Sequence, residues 1–334
     1  MHAHEPSRRR VVAAGHRIAV ILEPPATERL VHLAAHARVV CGDDVIVDGG
    51  RVVEVLPRRT VLARARQHHD EVSGAQLIAA NVDVLGVCCP LDRPLRAGFI
   101  ERALALAHAG GARPLIVLTK RDVALDLERA LDEAQAVAAG AELIAVSAFD
   151  HDDVSVLQAL VQAPETLVLL GQSGAGKSTL ANALFGRALQ STAEVRADDG
   201  RGRHTTTRTR LVPLPWGAFL VDTPGVRALG LATDQGDVDA AFPEIDALSA
   251  SCRFRDCAHE GEPGCAVRVA VDEGRLPAAR LASWHKLRAE VARLRAKSDP
   301  LAAAGRKRFE KLLSRAVKEV SARKRPRDGG PPTP

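Results

Sequence analysis

Apolar positions along the chain fall into three successive patterns. Between residues 10 and 65 they form short runs rich in β-branched side chains, RRVVAAG, HRIAVIL and ARVVCGDDVIVDGGRVVEVLP, with Gly/Asp turns between some of them. The alternation is imperfect, but the composition predicts strands and a small β domain. RARQHHDEVSGAQLIAA leads into the second pattern, which extends from 81 to about 232. Apolar runs there alternate with longer helix-compatible stretches: strands at VDVLGVC, PLIVLT, ELIAVSA, TLVLLG, TRLVPLP and AFLVDTPG, helices around 97–109, 123–139 and 177–186. That alternation predicts an α/β sheet with crossover helices. After 240 an irregular segment containing cysteines precedes two helical stretches, about 277–297 and 303–322. In the second, Phe309, Leu312, Leu313, Ala316, Val317 and Val320 recur at helical spacing, which predicts one packed face with Arg and Lys outward.

At 334 residues the chain has room for two or three domains. Charged residues at 26% and hydrophobic ones at 46% are the balance of a soluble globular protein, and the apolar runs are too short and interrupted for a membrane span. The N-terminus MHAHEPSRRRVVAAG lacks the apolar core of a secretory signal, so the cytoplasm is expected. Aromatic residues make up 3%, with no Tyr, which argues against broad stacking on exposed bases. The net charge of +5 is uneven: residues 301–334 hold ten Arg/Lys against three Asp/Glu, leaving the preceding 300 residues at about −2. That tail suits a polyanion such as RNA, or is a solvated helix with an unstructured end. Of six cysteines, Cys41, Cys88 and Cys89 stand apart while Cys252, Cys257 and Cys265 crowd around His259. Without a secretory segment, reduced thiols and metal binding are favoured over disulfides.

GQSGAGKST at 171–179 fits the phosphate-loop pattern G-x-x-x-x-G-K-[ST] between a strand and a helix-compatible LANALFG. Gly171, Gly174 and Gly176 permit a tight turn; the loop through Ser173, Ala175 and Thr179 is expected to face phosphate oxygens with its N–H groups. Lys177 would reach the β and γ phosphates and Ser178 would hold Mg²⁺. LVDTPG places Asp222 and Gly225 at D-x-x-G spacing, the first near a metal-bound water and the second near the γ-phosphate. Between the phosphate loop and this motif, GRGRHTTTRTR offers Thr206, or else Thr205 or Thr207, as a second hydroxyl on Mg²⁺; a polar loop using threonines as turn residues is the plainer reading. PLIVLTKRD ends in a near match to the guanine-reading Asn/Thr-Lys-x-Asp motif, in which Asp122 accepts from the ring N–H and exocyclic amine of guanine while the Lys120 stem lies along the base. Thr119 stands where Asn is commoner, which predicts a looser tether to the phosphate loop. VSAFD places the backbone of Ser147 and Ala148 where guanine O6 would lie. Each short match is weak alone; together, on successive strand ends, they favour GTP over ATP. Their order, base-reading before phosphate-binding, predicts a circular permutation of the usual GTPase connection.

CRFRDCAHEGEPGC spaces Cys252, Cys257, His259 and Cys265 as C-x4-C-x-H-x5-C, three thiolates and an imidazole for a closed, structural Zn²⁺ site. With GAQLIAANVD, TKRD, SAF, GQSGAGKSTLANAL, GRGRHTTT, DTPGVRALGL, FPEI and CRFRDCAHEGEPGCAV in this order, the sequence resembles the circularly permuted bacterial GTPases known as the ribosome small subunit-dependent GTPase A (RsgA/YjeQ) family. The resemblance implies a multidomain α/β protein: an OB-fold-like β-barrel over 1–70, a circularly permuted P-loop GTPase domain over 71–235 and a zinc-binding helical domain with a basic tail over 236–334. It implies GTP hydrolysis stimulated by the 30S subunit, a role in its late maturation, contact with 16S rRNA, GTP and GDP bound with Mg²⁺, a monomer and no membrane. Val226 follows Gly225 where glutamine-dependent GTPases orient water, so slow intrinsic turnover is expected, with Lys177 and Thr206 at the phosphates and His204, by resemblance, near the attacking water. Two other readings remain open at this point: an ATPase or nucleotide kinase, disfavoured by Asp122 after Lys120, and a non-catalytic, nucleotide-stabilised RNA-binding assembly module.

Overall fold

The computed structural model describes residues 6–15, 17–24, 27–34, 37–65, 75–186, 209–222 and 235–298. Strands β1 (Ser7–Ala14), β2 (Ile18–Glu23), β3 (Thr27–Leu33), β4 (Asp44–Asp48) and β5 (Arg51–Val55) close a barrel in the order β1-β2-β3-β5-β4. Its interior is built largely from valines and Ile21, side chains that pack well on a pleated surface. The pairing of β1 with β2 shifts register between Val11 and Ala13, and that of β4 with β5 shifts between Ile46 and Val47. Such irregularities bend a strand, as closure of a small barrel requires. Val11 and its neighbour Val12 are both fully buried, the physical reason the alternation in the sequence slips there.

The next strand departs from the expected pattern. β6 (Val61–Ala65), part of the run read as a small β domain, lies outside the barrel and pairs antiparallel with β7 (Ala75–Ala80). Leu62 packs with Leu85, Leu106 and Val168 in the core of the α/β layer. α1 (Ala97–Gly110) ends against this strand so closely that a Cβ on Gly110 would stand 2.9 Å from the Val61 carbonyl oxygen.

The central sheet comprises β8 (Val84–Pro90), β9 (Arg113–Thr119), β10 (Glu142–Val146), β11 (Thr166–Leu170), β12 (Arg210–Pro213) and β13 (Phe219–Asp222), in the order β10-β9-β8-β11-β13-β12. All neighbours are parallel except the edge strand β12, which runs antiparallel to β13. β8 and β11, at the centre, are buried almost without interruption, as parallel strands covered on both faces must be. Helices α2 (Leu127–Gln135), α3 (His151–Leu160) and α4 (Lys177–Phe185) complete this layer with α1. α2 is shorter than the expected 123–139. Lys120 has a left-handed backbone (φ 62°) and a 3-10 turn follows at Arg121–Val123, so the helix begins only where the Asp126 side chain caps the Arg129 amide.

Beyond the sheet lie α5 (Gln235–Ala240), α6 (Pro243–Ser249), α7 (Ala266–Asp272) and α8 (Ala278–Ser298). Phe242, Ile245, Val267, Trp284 and Leu287 share one apolar core with Ile100 and Leu104 of α1. At its heart Arg280 donates to Glu101 (2.8 Å) and to Glu244 (2.7 Å) and stacks over Phe242. The helix expected at 303–322 lies outside the described residues. Among the described residues no helix is long and apolar enough to cross a membrane. The barrel is fastened to the sheet through Arg10, which donates to the Asn81 carbonyl (3.0 Å) and Thr166 Oγ1 (2.7 Å), and through an Arg210–Glu28 ion pair at 2.5 Å from β12.

Candidate nucleotide site and metal centre

Four strand ends, those of β9, β10, β11 and β13, converge at the carboxyl edge of the sheet. β11 runs into Gly171, where a Cβ would stand 2.9 Å from the Cys88 carbonyl oxygen. Gly174 (φ 75°) and Gly176 (φ 77°) take left-handed conformations open to glycine at little cost, and Gly176 is the N-cap of α4. Ser173, Gly174, Ser178 and Thr179 are exposed and Ala175 is buried beneath them. Lys177 folds back over the loop, its Nζ donating to the carbonyls of Gly171 (2.7 Å) and Gln172 (2.9 Å). The loop thus carries an ammonium, a helix N-terminus and three exposed hydroxyl residues, a set of donors suited to phosphate.

β9 ends in Thr119, which is buried and donates its Oγ1 proton to the Ala175 carbonyl at 2.8 Å. The looser tether expected of Thr in place of Asn is therefore a direct bond, made with one donor. Lys120 pairs with Asp92 (Nζ to Oδ2, 2.5 Å), and Asp122 stands exposed in the turn that follows. Arg121 grips Asp150 (2.8 Å) and Asp153 (2.7 Å), clamping the end of β10 to the end of β9. Within that second loop the buried Ser147 already donates its backbone N–H to Asp153 Oδ2 (2.7 Å), while the neighbouring Ala148 is half-buried. Asp222 ends β13 and is exposed. His204, Thr206 and Gly225, with Thr205 and Thr207, lie outside the described residues.

Asp92, Arg93 and Arg121 were not singled out by sequence reasoning. Arg93 donates to Asp92 (Nε to Oδ1, 2.8 Å), and its Nη2 lies 3.4 Å from the Gly174 carbonyl oxygen. Hydrogen bonds from Arg93 and from Lys120 hold the Asp92 carboxyl well below the usual range. The available signal was topological: β8 lies between β9 and β11, so whatever follows it meets both motifs.

The second constellation is the cysteine loop. The ligand atoms of Cys252, Cys257, His259 and Cys265 all lie within 4.8 Å of one another. His259 Nδ1 sits 3.7 Å from the Cys252 sulfur and 3.5 Å from that of Cys265. These separations and this donor set fit a four-coordinate ion with metal–sulfur bonds of about 2.3 Å. Burial holds His259 below its ordinary pKa, favouring the neutral imidazole a metal needs, and Trp284 lies against its ring with centroids 5.2 Å apart. The loop is drawn together by Glu262, whose carboxylate accepts from the amides of Ala258 (2.6 Å), Glu260 (2.9 Å) and Gly261 (3.0 Å). Those N–H groups, Gly261 foremost, pull the Glu262 pKa down to about 2.

The order of motifs on this sheet, with the closed barrel before it and the Cys3His cluster after it, defines a circularly permuted P-loop GTPase fold. The profile of the RsgA GTPase family matches residues 55–232, and the chain belongs to that family. A relative, the small ribosomal subunit biogenesis GTPase RsgA of Xanthomonas euvesicatoria pv. vesicatoria, is 46% identical over 263 residues, covering 77% of this chain and 71% of that protein. Among solved structures, YjeQ from Thermotoga maritima matches at a TM-score of 0.65 with 23% identity, over 86% of this chain and 99% of that one. YloQ, described as a circularly permuted GTPase, matches at 0.63 with 23% identity, over 87% and 96%. These two likenesses establish the fold.

Proposed function

We propose that this chain binds GTP and GDP with Mg²⁺, hydrolyses GTP to GDP and phosphate, and acts with the small ribosomal subunit in its late maturation, contacting 16S rRNA. The observation that carries the reading is the Thr119–Ala175 hydrogen bond, which joins the base-reading strand end to the phosphate loop although they stand 56 residues apart in sequence. In this reading Asp122 reads the guanine edge and the Lys120 stem lies along the base. Because the Ser147 amide is committed to Asp153, the contact to O6 falls to the Ala148 amide. The loop from Gly171 to Thr179 surrounds the phosphates, and Lys177 leaves its two carbonyls to meet them. Ser178 and Thr206 hold Mg²⁺, Asp222 orders its water and Gly225 faces the γ-phosphate. His204 is assigned to the attacking water, and Val226 in place of a polar residue keeps unassisted turnover slow.

Cys252, Cys257, His259 and Cys265 hold one structural Zn²⁺; with no open coordination position it supplies rigidity rather than chemistry. The division into residues 1–70, 71–235 and 236–334 is kept as a proposal, as are a monomeric state and a cytoplasmic site of action. The relative's name, a small ribosomal subunit biogenesis GTPase, supports the assignment of the partner. Turnover by the zinc-loaded protein, alone and with isolated 30S or 50S subunits, tests it, with ATP as the control. Slow GTP hydrolysis accelerated by 30S subunits alone is expected. Equal rates with and without 30S subunits would overturn the assignment and favour a nucleotide-stabilised assembly module.

A further inference from the structure

The loop joining β8 to α1 belongs to none of the motifs read from the sequence, yet its position is distinctive. In the sheet order β9-β8-β11, β8 separates the strand that ends in Thr119 from the strand that runs into the phosphate loop. From β8 the chain proceeds to β9 and β10 on one side, while β11 leads to β13 on the other, so connections leave in opposite directions at the β8/β11 boundary. Open α/β sheets bind ligands at that place, outside the carboxyl ends of the strands. Leu91, the first residue of the loop, is fixed there by its amide, which donates to the Thr119 carbonyl at 2.9 Å.

The next two residues bring charge. Asp92 lies between two cations, accepting from Lys120 Nζ at 2.5 Å and from Arg93 Nε at 2.8 Å. One carboxylate shared by two cations leaves a positive charge over. Arg93 reaches onward to the phosphate loop: its Nη2 is 3.4 Å from the Gly174 carbonyl and would stand 3.2 Å from a Cβ placed on Gly174. Its side chain is 39% exposed, so the guanidinium is free to be solvated by a ligand. Asp92 and Gly174 engage Nε and Nη2, and among the described residues no partner is found for Nη1. A planar guanidinium with spare donors, steered by a carboxylate and resting on a phosphate loop, is matched to phosphate oxygens.

We propose that Arg93 is a phosphate-binding cation of this site, delivered by the β8–α1 loop from outside the phosphate loop itself, an inference that rests on the guanine-nucleotide reading above. Asp92 is its positioning residue: it orients Arg93 toward Gly174 and at the same time holds Lys120. A wholly structural Arg93, serving only to brace Lys120 at the base, would affect every guanine compound alike.

The test is therefore dependence on phosphate. Full-length, zinc-loaded wild type, Arg93→Ala and Arg93→Lys are titrated with guanosine, GDP and GTP, and the melting temperature of each is recorded. Arg93→Ala should weaken GDP and GTP by about tenfold while guanosine stays within about twofold, and Arg93→Lys should recover part of the loss. An equal loss for guanosine, GDP and GTP, or no loss for any, overturns the proposal. If Arg93→Ala melts early, the Arg93→Lys comparison decides, since a point charge keeps the phosphate attraction and loses the planar fork. Wild type that prefers no guanine compound over its adenine counterpart would instead overturn the guanine reading, and this inference with it.

Discussion

Thr119 ends β9 with a single hydroxyl, which donates to the carbonyl of the buried Ala175 at 2.8 Å. Thr119→Val keeps the shape and removes the donor, leaving a carbonyl out of reach of water. That costs about 1–3 kcal/mol. The variant should melt earlier than wild type, and the rise in melting temperature on adding GDP should shrink; an unchanged melt and an unchanged GDP shift would show the tether to be idle. The sequence already pointed to Thr119, Lys120, Asp122 and the phosphate loop, because each motif concentrates its chemistry within a few consecutive residues. Asp92, Arg93 and Arg121 were not legible. Arg121 meets Asp150 and Asp153 about thirty residues away, and Arg93 meets Gly174 across three intervening strands of sequence, so their meaning depends on strand order. The engaged amide of Ser147 was hidden for the same reason: its partner Asp153 reaches back from the first turn of α3.

Among the elements, the cysteine loop depends most on something besides its own packing. Cys252, Cys257 and His259 lie on irregular backbone, and Cys265 caps α7, its sulfur accepting from the Arg268 amide at 3.4 Å. An ion held by these four groups would fix the spacing between α6 and α7. Chelation should release one Zn²⁺ per chain and expose three thiols to a thiol reagent, while Cys41, Cys88 and Cys89 stay silent. Burial pushes those three up to about 12, and the thiolate is the reactive form. Since their folded pKa values are raised, the associated stability is fully present below the unfolded value near 9 and is lost as pH climbs from there toward 12. The thiol count at pH 8 checks both statements: six reactive thiols before denaturation would contradict the burial, and none after chelation would contradict the metal site. The elements themselves were largely legible where period and length agreed, as in β8, β9, β11 and α1. β6 was misplaced because a short β-branched run reads alike in a barrel and in a hairpin; only its pairing with β7 and its place against α1 distinguish them.

In the whole molecule, a barrel, a permuted sheet and a helical unit carrying the Cys3His cluster meet through specific polar contacts as well as a shared apolar core. Arg10 and Arg210 fasten the barrel to the sheet, and Arg280 with Glu101 joins the last helices to α1. α1 begins just after the loop that carries Arg93, and the helical unit shares its apolar core with α1, on one side of the proposed nucleotide site. That arrangement suits a switch whose state is read by a large partner. The order of motifs in the sequence already implies the permutation, because each motif marks a strand end and the strand ends must converge. The placement of the barrel was not legible, since it follows from pairs such as Arg210 with Glu28 that lie far apart in sequence. The central claim, that these displaced motifs form one guanine-reading site, rests most directly on Asp122. Guanine offers two N–H donors to its carboxylate, whereas xanthine carries a carbonyl in place of the exocyclic amine. We would titrate wild type and Asp122→Asn with GDP and with xanthosine diphosphate. The account predicts that the variant loses GDP affinity by roughly a hundredfold and gains xanthosine diphosphate; GDP bound equally well by both proteins would contradict it.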